Sequence, residues 1–146
     1  GLVIFEIQQN SDTTYRVFDW NRVGLDGKPR ELHVAQSLAS IDFNDFEPKL
    51  VPAFYRQGPN FKFRQLVEDP LFNVQEMVFE KEGSLTLAGQ YLRIIAVVKG
   101  TAEIVDANSK VSVALTAGQF GLIPACLKGV EIKTQPQTTF LCVEAN

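Results

Sequence analysis

Short runs of apolar residues, interrupted by polar ones, fill the chain from Phe61 onward and predict one strand after another. Turn-forming pairs such as Asp69-Pro70, Lys99-Gly100 and Ala117-Gly118 separate the runs at near-regular spacing. No helical period competes in this part of the sequence. Many short antiparallel strands with such turns predict a β-sandwich or a jelly roll. The nine predicted strands are 61–68, 73–80, 84–89, 92–100, 101–107, 110–118, 119–125, 129–134 and 138–144.

The first twenty residues predict a polar hairpin. Residues 2–9 and 13–20 are strand-like, and Asn10-Ser11-Asp12 between them is a turn signal. In a hairpin centred on Ser11, Glu6 and Arg16 would face each other across the ladder. A bulge in the loop would shift this register. The polar face of the predicted hairpin consists of Glu6, Gln8, Thr14 and Arg16.

The pattern then changes to a helical period. Residues 30–43 predict a helix of about three turns that begins at Arg30 and Glu31, where a glutamate suits the positive end of the helix dipole. His33 would lie within this helix as a structural, partly buried residue. Residues 44–60 contain three prolines and are interpreted as a connector. The predicted domains are therefore 1–60 and 61–146.

Composition limits the function classes. The net charge of −3 argues against a nucleic acid or an anionic membrane surface as partner. No apolar run approaches the roughly 20 residues of a membrane span, and no leader pattern opens the sequence. Two cysteines do not make a disulfide framework, so Cys126 and Cys142 are expected to be buried thiols of a cytoplasmic protein. With His33 as the single histidine, a His-rich metal site is excluded.

Two stretches carry a family resemblance. EIQQNSDTTYRVFDW, residues 6–20, together with the helical stretch that follows, resembles the signature region of the type I mannose-6-phosphate isomerases (phosphomannose isomerases). GTAEIVDA and LTAGQFGLIPA, residues 100–107 and 115–125, resemble the second cupin-like unit of the same enzymes. These enzymes are zinc-dependent members of the cupin superfamily. The resemblance covers essentially the whole chain and implies a mainly β, cupin-type jelly roll (double-stranded β-helix) with one short helix in the N-terminal third.

The resemblance also implies a reaction, the aldose–ketose isomerisation of mannose 6-phosphate to fructose 6-phosphate. Such proton transfer needs a base near the migrating proton and positive charge near the developing oxyanion. By resemblance, Arg16 lies beside the sugar phosphate and Glu6 is the acid/base candidate. The alternative for Arg16 is a structural salt bridge to Glu6 or Asp12, and the alternative for Glu6 is a structural ion pair.

One departure from the family pattern concerns the metal. The family's zinc ligands, a glutamine, a glutamate and two histidines, have no counterparts in this sequence. The resemblance therefore implies the C-terminal portion of such an enzyme, with residues 1–60 as the last strands of the catalytic cupin plus helix and connector, and 61–146 as the C-terminal cupin-like domain. We expect no zinc, no other cofactor and no activity for this portion alone. The alternatives are a metal-free sugar-phosphate-binding module and a module that self-associates, for example as a homodimer through its N-terminal strands.

Overall fold

The computed structural model describes residues 4–8, 13–47 and 49–145, and the chain divides into two compact units, 1–49 and 50–146. Helix α1 (Val34–Ser40) lies in the first unit. None of the described helices is long and apolar enough to cross a membrane. The strands of the second unit are β1 (Arg56–Gln57), β2 (Lys62–Glu68), β3 (Phe72–Phe79), β4 (Gly83–Thr86), β5 (Arg93–Lys99), β6 (Thr101–Asp106), β7 (Ser112–Thr116), β8 (Phe120–Ile123), β9 (Val130–Thr134) and β10 (Thr138–Ala145).

The strands form two antiparallel sheets. The larger sheet has the order β1-β2-β3-β10-β5-β8, and the smaller has the order β4-β9-β6-β7. Each of the nine predicted strands is present, so the predicted mainly β architecture is confirmed. The two-residue strand β1 was not predicted. It pairs with β2, with Arg56 opposite Phe63, so residues before position 60 also contribute to this sheet.

Apolar side chains from both sheets fill the space between them. Phe79, Phe140 and Ile95 of the larger sheet and Ile132 of the smaller one are fully buried. Phe79 stacks on Phe140 with ring centroids 5.9 Å apart. Burial of each such side chain contributes about 1.5–3 kcal/mol, so this packed interior is the main source of stability in the second unit.

The turn between β5 and β6 requires a glycine. Gly100 has φ of +80°, and a Cβ there would lie 2.5 Å from Oγ1 of Thr138. Thr138 is fully buried and its hydroxyl is tied to this turn, because it lies 3.0 Å from the carbonyl oxygen of Thr101. The predicted Lys99-Gly100 turn is therefore confirmed and is held by a contact 37 residues further along the chain.

The first unit departs from three expectations. Helix α1 begins at Val34 rather than at Arg30, and it spans seven residues, because the segment before it makes contacts with residues 16–19 instead. His33 is the N-cap residue and not part of the helix. Neither 4–8 nor 13–20 is a β-strand, so the predicted ladder is absent from the described residues. The turn predicted at 10–12 lies outside the described residues.

The two cysteines differ from each other. Cys142 lies on β10 and is buried in the core, as expected. Cys126 is exposed, which contradicts the expectation, because it lies in the connection between β8 and β9 rather than on a strand face.

Candidate functional site

The backbone of Arg16 is held by the residue that precedes helix α1. The N–H group of Arg16 donates to Nδ1 of His33 at 3.2 Å, and the N–H group of His33 donates to the carbonyl oxygen of Arg16 at 2.7 Å. The Arg16 guanidinium donates from Nη1 to the carbonyl oxygen of Glu31 at 3.0 Å. The side chain retains 24% of its exposure, so Arg16 is anchored while part of it stays open to solvent.

The buried carboxylate of Asp19 contacts two arginines of the first unit. Asp19 is 8% exposed, and its Oδ2 accepts a hydrogen bond from Nε of Arg30 at 2.7 Å. A second nitrogen of Arg30 contacts Oδ1, and Nε of Arg16 lies 3.8 Å from that oxygen. The Arg30 hydrogen bond is the main cause that lowers the pKa of Asp19, and the charges of Arg30, Arg16 and Arg22 act in the same direction. Two arginines, Arg30 and Arg16, therefore share one carboxylate, and the cluster carries an excess of positive charge.

Asp19 and Arg30 were missed by the sequence reasoning. Asp19 lies three positions after Arg16, within the quoted signature stretch, so a search for nearby carboxylates would have found it. Arg30 gave no such signal, because it reaches Asp19 across eleven positions when the loop between them folds back. An isolated bridge between Val23 and Pro29 closes that loop.

Glu6 is not part of this cluster. Its side chain is exposed, and no ion pair joins it to Arg16 among the described residues. The carboxylate partner of Arg16 is Asp19, and Asp12, the other predicted partner, lies outside the described residues. The structure thus places Arg16 in a charged cluster and leaves Glu6 outside it. The catalytic roles suggested for both stay predictions.

The described residues do not fit the zinc site that the resemblance implies. Nowhere in 4–8, 13–47 or 49–145 do three His, Cys, Asp or Glu side chains group as metal ligands. His33 is half-buried, which confirms its predicted partial burial, and its Nδ1 accepts a hydrogen bond from the Arg16 amide. The structural role suggested for it stays a prediction.

The chain resembles mannose-6-phosphate isomerases in both sequence and structure. No protein-family model matches the chain. It is 31% identical over 106 residues to mannose-6-phosphate isomerase ManA of Bacillus subtilis (strain 168), a match that covers 73% of this chain and 33% of that protein. The crystal structure of the mannose 6-phosphate isomerase from Bacillus subtilis superimposes with a TM-score of 0.70 at 24% identity, covering 92% of this chain and 41% of that chain.

A smaller cupin shows the same fold. An RmlC-like cupin from Shewanella frigidimarina matches with a TM-score of 0.53 at 18% identity over 63% of this chain and 82% of its own. The chain spans between 33% and 39% of the length of three curated isomerase relatives that it matches over most of its own length. The chain therefore has a cupin-type fold and is related in sequence to the mannose-6-phosphate isomerases.

Proposed function

We propose that this chain is the C-terminal portion of a mannose-6-phosphate isomerase, which interconverts mannose 6-phosphate and fructose 6-phosphate. The observation that carries the proposal is the 31% identity to ManA over 106 residues, and the matching fold supports it. The arrangement of charges in the first unit is compatible with a phosphorylated substrate.

Arg16 is the residue to which we assign a role in substrate binding. Its guanidinium is anchored by the Glu31 carbonyl and is partly exposed, which suits a group that must meet a ligand without rearranging. Arg30 makes two contacts to Asp19, whereas Nε of Arg16 lies 3.8 Å from it, so Arg16 keeps a positive charge available for a phosphate or an enediolate oxygen. Glu6, exposed and outside the cluster, is the acid/base candidate.

The zinc ligands of the proposed enzyme would come from residues outside this sequence. The single histidine is already engaged with Arg16, and the described residues offer no alternative group of ligands. We therefore expect the 146-residue chain to be inactive alone. The described structure contains free thiols only, and we place the enzyme in the cytoplasm, where thiols stay reduced.

A coupled assay of the 146-residue chain, with and without added zinc, tests this dependence. We expect no conversion of mannose 6-phosphate under either condition. Zinc-dependent turnover would contradict the proposal that essential ligands lie elsewhere.

A metal-free sugar-phosphate-binding module is the second candidate. The observation that favours it is that the arginine excess around Asp19 is complete within this chain. Calorimetric titration with mannose 6-phosphate distinguishes this candidate, because a binding module would show saturable binding that Arg16→Ala abolishes.

Self-association through the N-terminal strands stays a prediction, and sedimentation velocity across a concentration series would test it.

A further inference from the structure

The inner face of the larger sheet changes from apolar to polar at one end. On β3 the inward positions after the core residue Met77 are the polar Gln75 and Asn73, and on β10 Cys142 is the last core residue before Glu144. They form two rows of directly opposed residues. The first row is Gln65, Gln75 and Cys142, and the second is Glu68, Asn73 and Glu144.

These rows line a cavity of about 410 Å³, which we call the end cavity. Arg56 on β1 also lines it, since Arg56 lies opposite the inward-facing Phe63 and so shares its side of the sheet. The volume falls within the range of about 300–1,000 Å³ that is typical of small-molecule sites. All residues that line the cavity belong to the second unit.

Hydrogen bonds fix two amide side chains in this cavity. Nε2 of Gln75 donates to Oε1 of Gln65 at 2.9 Å, and Nε2 of Gln65 donates to the carbonyl oxygen of Val67 at 2.6 Å. Oε1 of Gln75 keeps its acceptor capacity, because no hydrogen bond to it is formed within residues 49–145. The amides are therefore oriented before any ligand arrives, which reduces the entropy cost of binding.

The charges of the end cavity balance. Arg93 is 6% exposed and donates from Nε to Oε2 of Glu144 at 2.7 Å, so these two charges neutralise each other. Arg56 and Glu68 are exposed and have neither an ion pair nor a hydrogen-bonded side chain in the described part of the second unit. Burial raises the pKa of the Cys142 thiol to about 11, so the thiol is neutral at physiological pH.

From these features we propose that the end cavity binds a neutral polyhydroxylated molecule, such as a sugar or a polyol. Because Arg93 neutralises Glu144, the remaining charges are those of Arg56 and Glu68, which have opposite signs, so the lining gives neither an anion nor a cation a net attraction. A hydroxyl group both donates and accepts, so it can satisfy the Gln75 carbonyl oxygen, a carboxylate and a guanidinium in turn. The carboxylates and the guanidinium strengthen these bonds because they are charged.

Chemical-shift titration of the 146-residue chain with D-mannitol, D-mannose and, as the anionic probe, mannose 6-phosphate tests the proposal. We expect saturable shifts with the neutral probes, in the millimolar range, confined to amides of β2, β3 and β10. Gln75→Leu should weaken mannitol binding at least tenfold, since it removes the amide at nearly constant size. Gln36→Leu, on an exposed position of α1, is the matched control and should leave it unchanged.

A second variant keeps the test valid if Gln75→Leu fails to fold. Arg56→Ala changes an exposed residue at the sheet edge and should also weaken mannitol binding. The proposal is overturned if no neutral probe gives saturable shifts, if both variants bind mannitol like the parent chain, or if mannose 6-phosphate binds this cavity more tightly than mannitol. Arg16→Ala should leave mannitol binding unchanged, which separates this site from the proposed isomerase function.

Discussion

Arg16 and His33 are joined by two hydrogen bonds that run in opposite directions. The Arg16 amide donates to the His33 imidazole, and the His33 amide donates to the Arg16 carbonyl. Since Nδ1 of His33 accepts, the neutral ring carries its proton on Nε2. The single histidine of the chain thus holds the backbone of Arg16, the arginine to which we assign substrate binding, through two hydrogen bonds.

Loss of the His33 imidazole should lower the stability of the folded chain. We expect His33→Ala to lower the free energy of unfolding by about 1 kcal/mol, because the partly buried Arg16 amide loses its acceptor. His33→Asn offers a carbonyl oxygen near the same place and should restore part of the loss. Urea unfolding of the 146-residue chain measures both variants. Equal stability of the parent and His33→Ala would show that the imidazole contributes nothing as an acceptor.

The Asp19 carboxylate predicts a pH dependence. Its pKa is lowered in the folded protein, chiefly by the Arg30 hydrogen bond, so its stabilising effect is complete above the unfolded value of about 4 and is lost as the pH falls through the folded pKa. Asp19→Asn removes the titrating group. The stability difference between parent and variant should therefore be constant from neutral pH down to about pH 5 and should shrink below pH 4.

Glu80 and Asp106 also have lowered pKa values and contribute to the pH dependence of stability. Their contributions are the same in the variant and the parent chain, so they cancel in the difference measured at each pH. A difference that grows on acidification would contradict the ion pair between Asp19 and Arg30.

Alanine substitutions at Gly100 and Gly118 distinguish the cost of backbone strain from the cost of a steric clash. Gly100 and Gly118 both have positive φ, +80° and +86°, but a Cβ at Gly118 would meet no atom within 4 Å. We expect Gly118→Ala to cost about 1 kcal/mol, the ordinary penalty of the left-handed region. Gly100→Ala should cost clearly more, because its Cβ would also collide with Thr138. Chemical denaturation of the two variants in parallel makes the comparison, and equal losses would refute the close contact.

The strands were predictable because their signal is local. Alternation with period two and turn pairs such as Lys99-Gly100 are visible in any short window, and each predicted strand was found. Strand β1 was missed because two residues, Arg56 and Gln57, carry no period. A strand of that length is defined by its partner and not by its own sequence.

The start of the helix and the contact between Arg30 and Asp19 were not predictable, because both depend on contacts between residues far apart in the sequence. Arg30 and Glu31 have the composition of a first helical turn, but Arg30 binds Asp19 and the Glu31 carbonyl accepts from Arg16. These contacts connect positions eleven and fifteen residues apart, and they override the local preference. The signature stretch contains Arg16 and its carboxylate partner Asp19, whereas the contact between Arg30 and Asp19 emerged only from the folded loop.

The most direct test of the account is the activity of a chimera in which this chain replaces the corresponding part of the Bacillus subtilis isomerase. We expect a zinc-dependent mannose-6-phosphate isomerase in which Arg16→Ala lowers kcat/KM by about 100-fold or more. Arg22→Ala, at an exposed arginine of the same unit, is the matched control and should have a much smaller effect. A folded, zinc-loaded chimera without activity, or one whose activity is indifferent to Arg16→Ala, would contradict it.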